Sequence, residues 1–169
     1  GLQLPRAALA SLCEELGKHA FPSAALSTLG VAFLARHAAD ASASAQLFQA
    51  LLDGQRATLA VCNADGDWQH EASVTAKRSG AGLSLGGSAH FVQDAGKAEL
   101  FVVRAAGLDG VLLAVVPRGS AGVSVRRDGI VDLTREQGTL ELTDVTVAES
   151  ATFAGGDALL AKALPDTWV

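Results

Sequence analysis

Along the first third of the chain, apolar residues recur at the spacing of one helical face. Leu9, Leu12, Cys13, Leu16 and Ala20 fall three or four positions apart, the separation that stacks side chains on one side of an α-helix. Pro5 suits the first turn of that helix, where a missing N–H costs little. Phe21-Pro22-Ser23 breaks the run, and Ser23 is placed to cap a second helix over 24–38. Ser42 or Ser44 can cap a third helix ending at Leu52, with Gly54 after Asp53 as its left-handed C′ residue.

After Gly54 the period changes. Alternation and β-branched residues replace the helical spacing, and strands are expected over 57–62, 71–77, 83–92, 99–105, 111–116, 123–126 and 139–142. Asp65-Gly66, Ser79-Gly80, Asp109-Gly110 and Arg118-Gly119 carry turn chemistry between them. Short strands without intervening helices predict an antiparallel sandwich rather than a parallel sheet. A helical pattern resumes over 155–164 and is interrupted by Pro165. The fold class is therefore α+β: N-terminal helices packed on an antiparallel β-sandwich or barrel-like domain, then the start of a further helical region.

Composition narrows the function classes. A chain of 169 residues, 49% hydrophobic, with a mean hydropathy of +0.29, can bury one core, or one domain plus part of another. Its net charge of -5 is dispersed, which argues against a nucleic-acid surface. The longest apolar run, 24–34, is far short of the roughly 20 residues of a spanning helix, so no membrane association is expected. The start shows neither a basic nor an apolar leader segment, so no secretory signal is expected. Cys13 and Cys62 make no disulfide framework and fit a reducing cytoplasm. A start at Gly1 without any methionine reads as an internal or engineered start within a longer protein.

The candidate chemistry is sparse. His19, His37, His70 and His90 are scattered, and none has a partner at metal-ligand spacing, so no metal site is expected. Asp65-Gly-Asp67 is too short for a calcium loop. Gly80-Ala-Gly82 and Gly86-Gly87 lack the helix and lysine of a phosphate cradle and read as turns. No nucleophile elbow is present. Arg104, Arg126 and Arg127 can pair with anions, although arginines at a strand end are usually solvated. By themselves the residues support an α+β module and name no reaction.

The order of several segments supplies more. Leu85-Gly-Gly-Ser-Ala-His-Phe-Val-Gln-Asp-Ala95 matches without a gap the Leu-Asn-Gly-x-Lys-x-Trp-Ile-Thr-Asn-Gly segment of acyl-CoA dehydrogenases, and the chain resembles that family. Leu12-Cys-Glu-Glu-Leu-Gly-Lys18 looks like its Glu-Glu-Leu-Gly-Arg helix, and Leu51-Leu-Asp-Gly54 like the end of its N-terminal helical domain. Leu59-Ala-Val-Cys62 occupies the place of the strand leading into its Thr-Glu-Pro motif. Gly110-Val-Leu-Leu-Ala-Val-Val-Pro117, Ala121-Gly-Val-Ser-Val125 and Leu140-Glu-Leu-Thr-Asp-Val145 resemble the closing strands of its middle β-domain.

This resemblance implies the end of the N-terminal helical domain over 1–55, the middle β-domain over 56–148 and the start of a truncated C-terminal helical domain over 149–169. It implies FAD as cofactor and acyl-CoA thioesters as substrates of α,β-dehydrogenation, in a homo- or hetero-oligomer with another dehydrogenase-like subunit. The flavin contacts it implies are Cys62 and Asn63 at the exit of the first strand, Phe91 against the ring, and Val92 and Gln93 at the ring edge. No catalytic residue is expected, because the family's glutamate base belongs to the C-terminal helical domain, and this chain alone is expected to be inactive. Phe91 replaces Trp, Gln93 replaces Thr and Ala89 replaces Lys. The Thr-Glu-Pro-x-Ala-Gly-Ser-Asp segment is reduced to Cys62-Asn-Ala-Asp-Gly-Asp67. These departures resemble the branch of the family built from paired unlike subunits, in which one partner has lost part of its site. The alternative is therefore a non-catalytic subunit of a heteromeric dehydrogenase.

Overall fold

The third helix shows how closely local chemistry is obeyed. α3 (Ala41–Leu52) ends where Gly54 takes φ +88°, the Gln55 N–H donates to the Ala50 carbonyl at 3.0 Å and the Gly54 N–H to that of Leu51 at 3.1 Å. This is a Schellman motif built on the glycine the sequence offers. A computed structural model gives the architecture for residues 6–21, 23–39, 41–80, 82–132 and 134–167. Pro5 lies outside these.

α1 (Arg6–Lys18) and α2 (Ala25–His37) precede α3. The Ser23 hydroxyl accepts the Ala25 N–H at 3.1 Å, although the N-cap itself is Ala24. Ser42 and Ser44 lie inside α3 rather than at its start, because alanines on either side of them favour continuing the helix toward its N-terminus.

The strands are β1 (Ala57–Ala60), β2 (Val74–Ser79), β3 (Gly82–Gln93), β4 (Leu100–Gly107), β5 (Gly110–Pro117), β6 (Val123–Arg127), β7 (Gln137–Ala148) and β8 (Thr152–Ala154). They form an open sheet in the order β6-β7-β3-β2-β4-β5-β8, with β1 added against β4. The α+β class holds, but the sheet is mixed. β4 runs parallel to β1, pairing Ala57 with Leu100, and meets β2 in parallel at Thr75 and Ala106. Residues 71–73 stay out of β2, β7 is much longer than expected, and β8 adds a strand that was not expected. α4 (Gly156–Ala163) follows β8, and a 3₁₀ turn (Leu164–Thr167) begins beside Pro165.

β4 is buried on both faces, as befits a strand central to two layers. Phe101, Val103 and Ala105 point into a core with Leu85, Val92, Leu140 and Val145. Leu100 and Val102 point the other way, into a core with Val31 and Leu34 of α2, Leu47 of α3, Leu113, Phe153 and Leu160 of α4. The helices are thus fixed on one side of the sheet, and the gap they leave beside β1 and the end of β3 becomes the cleft described next.

Candidate functional site: a cleft between α1–α2 and the end of β3

The cleft has a volume of ≈ 740 Å³. Its helical wall is mostly apolar, with Cys13, Leu16, Phe21 and Leu26 beside Ser23 and Ser27, and its other wall carries Thr58, Cys62, Phe91, Gln93, Asp94, Arg135 and Glu136. One mostly apolar wall facing a few convergent polar groups is the usual make-up of a small-molecule or cofactor site.

Phe91 is the unusual member. β3 slips register against β7 between Ala89 and Val92, and within this irregularity Phe91 has φ +53°. A bulky side chain in the left-handed region is a true conformational outlier. The result is a ring that stands 45% exposed at the cleft instead of packing in the sheet. A Cβ added to Gly66 would lie 3.7 Å from the ring, so the Asp65–Gly66 turn passes close beside it. Cys62 is held next to it, because its carbonyl accepts the His90 N–H at 2.9 Å. Burial, aided by Asp67 and opposed by Arg104, raises the Cys62 thiol above its ordinary pKa; it is a neutral thiol at the cleft wall.

The five residues expected to contact a flavin divide. Cys62, Phe91 and Gln93 line the cleft. The Val92 side chain is buried with Leu85 and Leu140 in the sheet core, so only its backbone is left for a ligand. Asn63 organises its own loop: its Oδ1 accepts the N–H groups of Asp65 at 3.0 Å and Asp67 at 2.9 Å. Gln93 is tied at two points. Its carbonyl accepts from the Thr58 hydroxyl at 2.7 Å, and its side-chain amide donates to Gln137 Oε1 at 3.0 Å.

Sequence reasoning did not single out Ser27, Thr58, Asp94 or Glu136 for the site. Asp94 also has positive φ, and accepts from the Ser27 hydroxyl at 2.6 Å and from Lys97 Nζ at 3.1 Å, fastening α2 to the end of β3. Its one available signal was its place inside the 85–95 segment. Glu136 accepts from Arg127 Nε at 2.9 Å, and a Cβ on Gly96 would fall 1.8 Å from its Oε1, so a larger residue at 96 would displace this carboxylate. The Arg127 guanidinium, ahead of all other causes, holds Glu136 below the usual glutamate pKa. The stabilisation is therefore present at neutral pH and is lost as pH falls through the depressed value. Glu136→Gln is expected to lower the melting temperature at neutral pH and to bring it level with the unsubstituted protein in strong acid. Parallel melting curves across that range would check this, and a constant gap at all pH values would disprove it.

Among the described residues, no group of three or more His, Cys, Asp or Glu could hold a metal ion, and no helix is long and apolar enough to cross a membrane.

Comparison places this geometry in a class. No protein-family model and no curated protein matches the chain. Among solved structures, it is similar to a variant of the Tcur3481–Tcur3483 steroid ACAD, at 28% identity and a TM-score of 0.79, covering 99% of this chain and 45% of that one. The ChsE4–ChsE5 complex from Mycobacterium tuberculosis is similar at 23% identity and a TM-score of 0.74, covering 86% and 39%. A glutaryl-CoA dehydrogenase from Mycobacterium smegmatis in complex with FADH2 is similar in fold, at 19% identity and a TM-score of 0.64, covering 72% and 33%. The chain resembles part of an acyl-CoA dehydrogenase, with helices and a β-domain in the arrangement of that class. It spans less than half the length of each of these structures.

Proposed function

We propose that this chain is the flavin-side portion of an acyl-CoA dehydrogenase-like oxidoreductase, and that the cleft between α1–α2 and the end of β3 receives the ring of FAD. The observation that carries this reading is Phe91, held in a strained conformation that exposes its ring. Strain of this kind persists where a site requires it, and a flat aromatic cofactor is the natural complement of an exposed ring. The residues fit such a group: an aromatic face, a neutral thiol rather than a charge, and an amide at Gln93 that can meet a polar ring edge. When bound, FAD supplies a two-electron acceptor; the protein's part is to orient it and exclude water.

In this proposal residues 1–55 close an N-terminal helical domain, 56–148 form the β-domain and 149–169 begin a further helical region. The protein works in the cytoplasm, and an acyl-CoA thioester is oxidised across Cα–Cβ in an oligomer. No base for that reaction is proposed in this chain. Of the two carboxylates in the cleft, Asp94 accepts from Ser27 and Lys97, and Glu136 accepts through one oxygen from Arg127, which holds it below the usual glutamate pKa and so makes it a weaker base.

One observation favours the second reading, a non-catalytic subunit that supports a dehydrogenase partner. The Asn63–Asp67 loop is closed on its own Asn63 side chain, and Gln93 is bonded to Gln137, so both have less capacity left for a ligand. Titration of the purified chain with FAD, followed by flavin fluorescence, separates the two. Saturable quenching at one flavin per chain supports the first reading, and free flavin throughout supports the second.

A further inference from the structure

Arg104 is buried where a strand pattern offers only apolar neighbours. It sits on β4 opposite Leu113 of β5, and its side chain is 1% exposed. Its guanidinium is forked between two elements. Nε donates to Asp157 Oδ1 at 2.7 Å and Nη2 to Asp157 Oδ2 at 3.2 Å; Nη2 also donates to the His70 carbonyl at 2.7 Å. Nη1 is buried without a hydrogen-bond partner among the described residues.

Both partners are informative. Asp157 lies in the first turn of α4, where a carboxylate also meets the positive end of the helix. His70 lies in the stretch between β1 and β2, which carries the Asn63 turn and Cys62. That stretch has few other anchors. Cys62 is bridged to His90 at its start, the Ser73 hydroxyl bonds the Ser88 carbonyl at its end, and Asp67 pairs with His70 inside it. Between those ends Trp68 packs against the core shared with α2 and α4, and the Arg104 fork adds the polar tie to the rest of the molecule.

A buried ion pair is weak evidence for stability, because removing the charges from water consumes most of what they gain. Geometry is what a planar, bidentate guanidinium supplies that an apolar residue of similar volume would not. We propose that Arg104 is a positioning residue: a buried clamp that couples α4 to the 61–73 segment and so fixes the wall of the cleft at Cys62 and Phe91. The inference rests on the proposed flavin cleft only for what that wall serves. The clamp itself is a property of the free chain.

Arg104→Lys keeps the charge and loses the fork, whereas Asp157→Asn keeps the shape and loses the charge at a half-exposed position that tolerates change. Amide hydrogen exchange of the full chain, read segment by segment, tests both. Loss of a charge-assisted bond is expected to speed exchange across 61–73, the bridged end of β3 at His90 and Phe91, and the start of α4 by about tenfold, with the 82–88 part of β3 and β7 unchanged. An unchanged 61–73 segment, or equal acceleration in every strand, would overturn the proposal. If Arg104→Lys does not fold, Asp157→Asn is read alone by the same criterion. FAD affinity measured on the same samples is a separate readout: a local exchange response in a chain that binds no FAD upholds the clamp and counts against the flavin assignment.

Discussion

Phe91→Gly is expected to be more stable than Phe91→Ala by about 1 kcal/mol, the reverse of the usual order within a strand. Both variants lose the same ring. They differ in that alanine keeps a Cβ, which the φ of +53° at this position penalises, while glycine does not. The same two variants are expected to bind FAD about tenfold more weakly than the unsubstituted chain, the order of one aromatic stacking contact. Chemical denaturation gives the first comparison and fluorescence titration the second. Equal stability of the two variants would mean that the backbone is not strained at Phe91. Unchanged affinity would mean that its ring does not meet the flavin.

Gly87→Ala is expected to cost about 3 kcal/mol, combining backbone strain with a clash that cannot relax cheaply. Gly87 has φ +126°, and a Cβ there would lie 2.2 Å from the Ser73 carbonyl oxygen and 3.0 Å from Val74 Cα. It sits at the register shift of β3 against β7, one residue from Gly86, which pairs with Thr75. Gly86 supplies the control. A Cβ at Gly86 meets nothing within 4 Å, so Gly86→Ala is expected to change stability by less than about 1 kcal/mol. Urea midpoints of the two variants would show the contrast, and similar losses at both positions would contradict the close approach of β3 to residue 73.

These two positions also mark what the sequence could and could not disclose. Gly54 was legible as a helix terminator, because glycine advertises the φ it permits; Gly86-Gly87, read as a turn, instead lies inside β3, with the positive φ at Gly87 taken up by the register shift against β7. Phe91 gave no such signal: a bulky residue at positive φ contradicts its own local preference, and only the long-range pairing of β3 with β7 imposes it. α1 follows from its helical spacing, and α2 and α3 from the Phe21–Ser23 break and the Gly54 terminator. The parallel pairing of β1 with β4 does not, since two intervening strands separate them and no local pattern specifies a non-neighbouring partner. Arg104 is a further case. A lone arginine in an apolar strand normally reads as solvated; the buried fork depends on α4 returning, more than fifty residues later, to present Asp157. The resemblance of 85–95 to acyl-CoA dehydrogenases drew attention to β3, whose end lines the cleft. It did not foretell that Val92 would be turned into the core or that Asn63 would be spent within its own loop.

The proposed function depends most on where a flavin ring binds. Backbone amide chemical shifts of the chain, recorded with and without FAD, locate it directly. The predicted result is a set of changes confined to Cys62, Phe91–Asp94 and the facing residues of α1 and α2. Changes centred on the second cavity, of ≈ 370 Å³ between Ala43 and Leu47 of α3 and Val147 of β7, or no changes at all, would contradict it.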